Sequence, residues 1–201
     1  MSNLYRATKQ WARQVEEKLF QDFIFIHINK TAGSSIEKAL GLHFEHKTAL
    51  EKRAELGQNH WESRFSFAFV RNPWDRAVSQ YYYRKRTNKT GLTAGGIGFL
   101  EWLQRVYGDQ DPKYYNNPRM FMPQWKWISD EEGKPIIDFI GRFETLAADI
   151  EVVCRRLGRE ATLPHLKRSK RGNYREYYDE AGRKLVERRF KLDIEHFGYE
   201  Y

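Results

Sequence analysis

Two stretches of the chain are almost continuously apolar: Phe23 to Ile28, reading FIFIHI, and Phe65 to Val70, reading FSFAFV. Short unbroken apolar runs predict buried strands of the kind found in parallel sheets. Other segments are apolar at spacings of three and four, which predicts amphipathic helices. Leu4, Trp11, Val15 and Leu19 mark a first helix, Leu146, Ile150, Val153 and Leu157 a later one, and Leu185, Val186, Phe190 and Ile194 a long C-terminal one. Gly33 to Leu40 reads as a helix entered through a glycine turn. Thr48 with Glu51 has the spacing of a capping box, so a helix starts there. Asn72, Pro73 and Asp75 form an N-cap, a first-turn proline and a first-turn acid, which predicts a helix running through WDRAVSQYYYRKR. Residues 87 to 98, TNKTGLTAGGIG, form the longest loop; a short helix at 99 to 107, an irregular aromatic region to 129 and a strand in PIIDFIG complete the pass. Alternation of strands and helices predicts an α/β fold with a mostly parallel sheet flanked by helices.

At 201 residues the chain suits one domain spanning 1–201, with no linker or internal repeat. A net charge of +8 points to an anionic partner without choosing among nucleic acid, a phosphorylated cofactor, an acidic glycan and a membrane face. The single cysteine, Cys154, excludes an internal disulfide and fits the core side of the later helix. No stretch approaches the roughly 20 apolar residues of a membrane span, and the first twenty residues have no apolar signal core, so a cytoplasmic location is expected.

Chemistry enters where the first strand ends. A strand delivering its C-terminal end to Lys30-Thr31-Ala32-Gly33-Ser34-Ser35 brings unpaired backbone N–H groups, the positive end of a helix dipole, a lysine and three hydroxyls to one spot, which suits an anion. The order differs from a nucleoside-triphosphate P-loop, where glycine precedes lysine and lysine precedes the magnesium-binding hydroxyl; here the lysine comes three residues before the glycine. A second basic element follows. Arg71 leaves a strand end just before the Asn72 cap, and Ser79 lies two turns into that helix, so both can reach a phosphate near the strand ends. Arg76, Ser79, Tyr83 and Arg86 share one helical face; for Arg76 and Arg86 the expectation is a solvated stripe, with Arg76 paired to an acid.

The stretches HINKTAGSSI and FAFVRNPWDRAVSQYYY, in this order and about thirty residues apart, resemble the paired cofactor motifs of the sulfotransferases that use 3'-phosphoadenosine 5'-phosphosulfate (PAPS), in the branch of Golgi-type carbohydrate sulfotransferases and small bacterial relatives. The likeness continues through DFIGRFETL, LPHLKRSKRGNYREYYD and DIEHFGYEY. It implies a single P-loop-like α/β domain with no metal. Lys30, Thr31, Ala32, Gly33, Ser34 and Ser35 would hold the 5'-phosphosulfate, and Arg71 with Ser79 the 3'-phosphate. In a late loop Ser169, Lys170 and Arg171 would reach the 3'-phosphate and Tyr174 the cofactor side. The family commonly has proline where this chain has Asn29.

Sulfuryl transfer to a hydroxyl needs a cation on the leaving oxygen, for which Lys30 is placed, and a base for the acceptor proton. His43, His46 and His60 lie between the two motifs, where the branch tends to place a catalytic histidine. His46 is the choice, because the N-terminus of the helix starting at Thr48 disfavours its cationic form; Glu45 is the substitute. The reading is sulfation of a hydroxyl acceptor, a glycan or other small molecule, yielding 3'-phosphoadenosine 5'-phosphate (PAP), with no nucleic acid as partner. A small-molecule kinase and a basic nucleic-acid-binding module are the alternatives.

Overall fold

The computed structural model describes residues 21–93, 96–160 and 172–201, together with Thr8 and Val15, which are helical. Most of the first predicted helix, and Ser169, Lys170 and Arg171 of the late loop, lie outside the described residues.

Among the described residues, three strands, β1 (Phe23–Ile26), β2 (Phe65–Val70) and β3 (Phe139–Arg142), form one sheet in the order β1-β2-β3, parallel at both junctions. Phe23 pairs in register with Phe65, and Phe67 with Phe139. All four residues of β1 are buried, so this strand is covered on both faces, which explains an apolar run without alternation. Between β1 and β2 lie α1 (Gly33–Leu40), α2 (Ala49–Leu56) and α3 (Gln58–Glu62); α4 (Pro73–Arg86) follows β2. The chain is thus α/β with a parallel sheet, as the pattern of apolar runs predicts.

The structure divides into two compact units. The first holds the sheet, α1 to α3 and α6 (Leu146–Arg156). Its core is Phe23, Phe25, Phe67 and Phe69 packed with Ile36 of α1 and with Leu146, Ile150, Val153 and Cys154 of α6. Rings meet along the sheet, Phe25 lying 5.1 Å from Phe67 between centroids. Cys154 is a core residue here, as its helical stripe predicts. The capping box at Thr48 is present, the Thr48 hydroxyl accepting from Glu51 N at 3.2 Å while the Glu51 carboxylate accepts from Thr48 N at 2.8 Å.

The second unit gathers residues 29–31, 71–125 and 165–201. It carries α4, α5 (Phe99–Leu103), α7 (Glu180–Arg189) and α8 (Lys191–Phe197). Asn72 caps α4 with its side chain, accepting from Trp74 N and Asp75 N. α5 continues into a π-helical turn over Gln104–Gly108. The single C-terminal helix expected from the apolar spacing is instead two helices, broken at Phe190, whose φ and ψ of −112° and 28° are not helical. The break lets Phe190 and Asp193 both be buried, the latter as an acceptor for three N–H groups. The strand expected in PIIDFIG is shorter and later: Pro135 makes only an isolated bridge to Ser129, and regular pairing starts at Phe139. Proline lacks the N–H that a ladder needs. Among the described residues, no helix is long and apolar enough to cross a membrane.

Candidate functional site

Beyond β1 the chain passes His27 and Ile28, turns over Asn29–Ala32 and enters α1 at Gly33. Lys30 and Ala32 have φ of 71° and 70°, the left-handed region, which costs a residue with a Cβ about 1 kcal/mol or more. Such a turn persists only where its surroundings hold it, and two arginines of the α4 segment do so. The Arg76 guanidinium donates from Nε to the Asn29 carbonyl at 3.2 Å, from Nη2 to Asn29 Oδ1 at 2.7 Å and from Nη1 to the Met122 carbonyl at 3.1 Å. Asn29 Nδ2 in turn donates to Gln80 Oε1 and the Met120 carbonyl. The expectation that Arg76 is a solvated surface residue is therefore wrong: it is 3% exposed and works as an anchor for the loop. Burial draws its pKa down, against the pull of the Asp193 carboxylate. Where the resembled family has proline to stiffen the turn, this chain has an asparagine pinned by hydrogen bonds.

Arg71, the second anchor, is buried at the end of β2. Its Nη1 donates to the Lys30 carbonyl at 3.0 Å, while Nε and Nη2 both reach Asp75 Oδ2, at 2.8 and 2.7 Å. The pairing with Asp75, one turn on, orients the guanidinium. The Lys30 ammonium lies over the Tyr83 ring, 4.3 Å from its centroid, and the Lys89 ammonium and Arg86 guanidinium approach the same ring at 5.3 and 5.9 Å. Ser79, half-buried, stands one turn before Tyr83. Tyr174 accepts a long hydrogen bond from Asn72 Nδ2 at 3.4 Å, beside Arg71 in sequence, and burial raises its pKa. Lys30, Arg71, Ser79 and Tyr174 all belong to the second unit.

Ala32 to Ser35 belong to the first unit. α2, α4 and α7 have side-chain caps at Thr48, Asn72 and Asp179, whereas the cap position of α1 is Ala32, which has no side-chain acceptor. Ser35 N and Ile36 N turn back to the Ala32 carbonyl; the Gly33 and Ser34 amides take no protein acceptor among the described residues. Gly33 is required here by packing, since a Cβ on it would lie 1.9 Å from His27 Cδ2. The His27 ring is buried against that glycine, with its Nδ1 on Glu37 Oε1 at 2.8 Å.

His46 sits beside it, the two ring centroids 4.3 Å apart. Its Nδ1 is 2.8 Å from the His27 carbonyl oxygen, an acceptor, so in the neutral ring Nδ1 carries the proton and Nε2 is the basic nitrogen. Phe44, 61% exposed, meets His46 edge-on at 4.8 Å. Glu45 is unsuited to take a proton. Burial raises its pKa, but the Lys52 and Lys47 ammonium groups bonded to it outweigh that and hold it below the ordinary value. His43 and His60 are exposed, His60 Nδ1 lying 3.4 Å from an Arg64 nitrogen.

With this geometry the comparison with known sequences is decisive. The model of the Sulfotransferase family matches residues 17–200. The chain belongs to the sulfotransferase family. An uncharacterized protein of Archaeoglobus fulgidus is 30% identical over 108 residues, covering 53% of this chain and 78% of that protein. No solved structure matches significantly. Sulfuryl transfer is thus the activity class of this sulfotransferase-family chain, and its sequence motifs fall on a left-handed turn and on the arginine that binds that turn.

Sequence reasoning misses three groups. Asn29 shows in the sequence only as a departure from the resembled motif, and Glu37 and Gln124 leave no signal there, because their partners lie 10 and 53 residues away without periodic spacing. Asp75 was legible, standing four residues after Arg71 on a helix. A groove of about 800 Å3 lined by Leu100, Leu103, Leu185 and Arg188 among others includes none of the predicted site residues.

Proposed function

We propose that the chain transfers the sulfuryl group of PAPS to a hydroxyl of a carbohydrate acceptor, releasing PAP. One observation carries this reading: the left-handed Lys30 turn is bonded to Arg71, the residue that follows β2. A loop of this kind offers backbone amides and a cation to an anion, and the linked arginine gives a second cation for another. The residues present fit the donor. Lys30, Thr31, Ala32, Gly33, Ser34 and Ser35 would hold its 5'-phosphosulfate, with hydroxyls and backbone amides as donors; Arg71 and Ser79 would hold its 3'-phosphate, and Tyr174 would serve the cofactor side. Three cations around Tyr83 and a net charge of +8 favour an anionic ligand.

When bound, PAPS supplies an activated sulfuryl group on a good leaving group. Lys30, whose ammonium lies over the Tyr83 ring, would stabilise the negative charge that develops on the leaving oxygen. His46 takes the acceptor proton at Nε2, while its Nδ1–H goes on donating to the His27 carbonyl. Phe44 gives a sugar an apolar surface for its C–H face beside that base. The charge of the sulfuryl group is low enough for protein cations and amides to serve without a metal.

The test is turnover of PAPS in the presence of EDTA against a panel of mono- and oligosaccharides, reading PAP release and acceptor mass. A gain of 80 mass units on a sugar supports the reading. Turnover that instead requires ATP with magnesium points to a kinase.

A further inference from the structure

The main chain of Arg71 is held in an unusual way. Gln124 lies flat against it as an extra strand residue would: Gln124 Oε1 accepts from Arg71 N at 2.9 Å and Gln124 Nε2 donates to the Arg71 carbonyl at 2.8 Å. Gln124 is fully buried, and so is Asp193 behind it. Asp193 Oδ2 accepts from Gln124 N at 2.9 Å and from Gln124 Nε2 at 3.2 Å, while Oδ1 accepts from Trp125 N at 2.8 Å.

These contacts have a direction. A carboxamide has two faces of opposite hydrogen-bond character, and it can flip. Beside the Asp193 carboxylate only Nε2 can be placed, because an oxygen there would face an anion. That choice leaves Oε1 for the Arg71 N–H and the second Nε2 proton for the Arg71 carbonyl. Asp193 therefore sets the Gln124 rotamer, and Gln124 sets the peptide planes on both sides of the Arg71 Cα. A buried carboxylate is costly in its own right, and its compensation comes from three N–H donors and the nearby Arg76 charge. Arg71 N is the first amide beyond β2, where the strand's own partner, β3, ends opposite Val70 at Arg142. Gln124 thus fixes the main chain of the residue whose guanidinium reaches the Lys30 carbonyl.

We infer that Gln124 and Asp193 are positioning residues for cofactor binding, aligning Arg71 on the 3'-phosphate through its main chain. This rests on the reading that Arg71 holds that phosphate. Neither side chain meets the ligand. Their contribution appears in the advantage of a nucleotide bearing a 3'-phosphate over one without it.

Calorimetry with PAP and with adenosine 5'-phosphate, on wild type, Gln124→Met, Asp193→Asn and Arg71→Ala, tests this; thermal melting checks that each variant is folded. The ratio of the two dissociation constants measures the 3'-phosphate's share. The expected result is a ratio reduced about fivefold or more in Gln124→Met and Asp193→Asn, corresponding to one lost hydrogen bond's worth of alignment, with adenosine 5'-phosphate binding within about twofold of wild type. An unchanged ratio in a folded variant overturns the inference. If Arg71→Ala also leaves the ratio unchanged, the assignment of Arg71 to the 3'-phosphate has failed; if Arg71→Ala abolishes it while the other two do not, only the relay has failed. For the wild-type chain, where folding of variants plays no part, the Gln124 side-chain amide resonances must shift on adding PAP and stay in place with adenosine 5'-phosphate. Equal shifts with both ligands, or none with either, contradict the relay.

Discussion

Arg71 Nη1 donates to the carbonyl oxygen of Lys30 at 3.0 Å, across 41 residues of sequence. The lysine of the first basic motif and the arginine of the second are therefore joined by a direct bond. One guanidinium, steadied by Asp75, stabilises the strained turn that presents the lysine. Loss of Arg71 is expected to reach beyond a single phosphate.

Arg71→Ala should weaken PAP binding by about 2 kcal/mol, the loss of a charged hydrogen-bonding group. It should also weaken adenosine 5'-phosphate by a smaller amount, since the Lys30 turn loses its anchor. Calorimetry on the folded variant checks this. Loss confined to the 3'-phosphate would mean that the Lys30 contact is incidental.

Lys30→Ala should leave the fold intact and reduce the turnover number by about a hundredfold or more, the scale of removing one preorganised charge from a transition state. Melting temperature and PAPS kinetics measured side by side separate the two effects. A variant that turns over normally contradicts the role given to Lys30.

Gly33→Ala puts a methyl group on the His27 ring, within 1.9 Å of Cδ2 and 2.1 Å of Nε2. The ring is buried and held by Glu37, so it cannot swing aside cheaply. Overpacking of this kind costs about 1–3 kcal/mol. Denaturant unfolding should register that loss; an unchanged midpoint would mean that α1 shifts freely.

His46→Ala should lower turnover by about 10²–10⁴-fold while leaving PAP affinity unchanged, as expected for a base that touches only the acceptor side. The acid limb of the rate profile, where a histidine base is protonated, should disappear with the imidazole. Persistence of that limb would shift the role to another group.

Glu45 supplies a pH dependence of stability. Its carboxyl is held below its ordinary value of 4.5, so its folded form binds protons less readily than its unfolded form. The ion pairs with Lys47 and the buried Lys52 are at full strength above the ordinary carboxylate range and fade as the pH falls through the lowered value. Glu45→Gln should therefore cost about 2 kcal/mol near neutrality and nothing once the wild-type carboxyl is protonated. Unfolding curves from pH 7 to pH 3 check the sign; a gap that widens in acid would reverse it.

The sheet was legible because β1 and β2 are almost wholly buried and leave continuous apolar runs. The caps at Thr48 and Asn72 were legible because capping is a local chemistry written within four residues. Lys30 and Arg71 could be recognised as a pair, but their contact could not, since nothing local encodes a bond between a guanidinium and a carbonyl 41 residues away. Arg76 was misjudged for a related reason. Helical spacing puts it on a face with Ser79 and Tyr83, yet its three bonds to Asn29 and Met122 depend on tertiary packing that removes it from water. The break at Phe190 was hidden as well: apolar spacing runs through it, and the burial of Asp193 that favours it involves Gln124, 69 residues away.

The central claim is that the Lys30 turn and Arg71 together hold a 3',5'-bisphosphorylated adenosine. Calorimetric titration of the wild-type chain with PAP, without magnesium and at low and moderate salt, tests it against adenosine 5'-phosphate, ATP and a short DNA duplex. The expected result is a preference for PAP over every competitor that survives the added salt. Preference for ATP, or DNA binding that collapses steeply with salt and shows no discrimination among nucleotides, would contradict it.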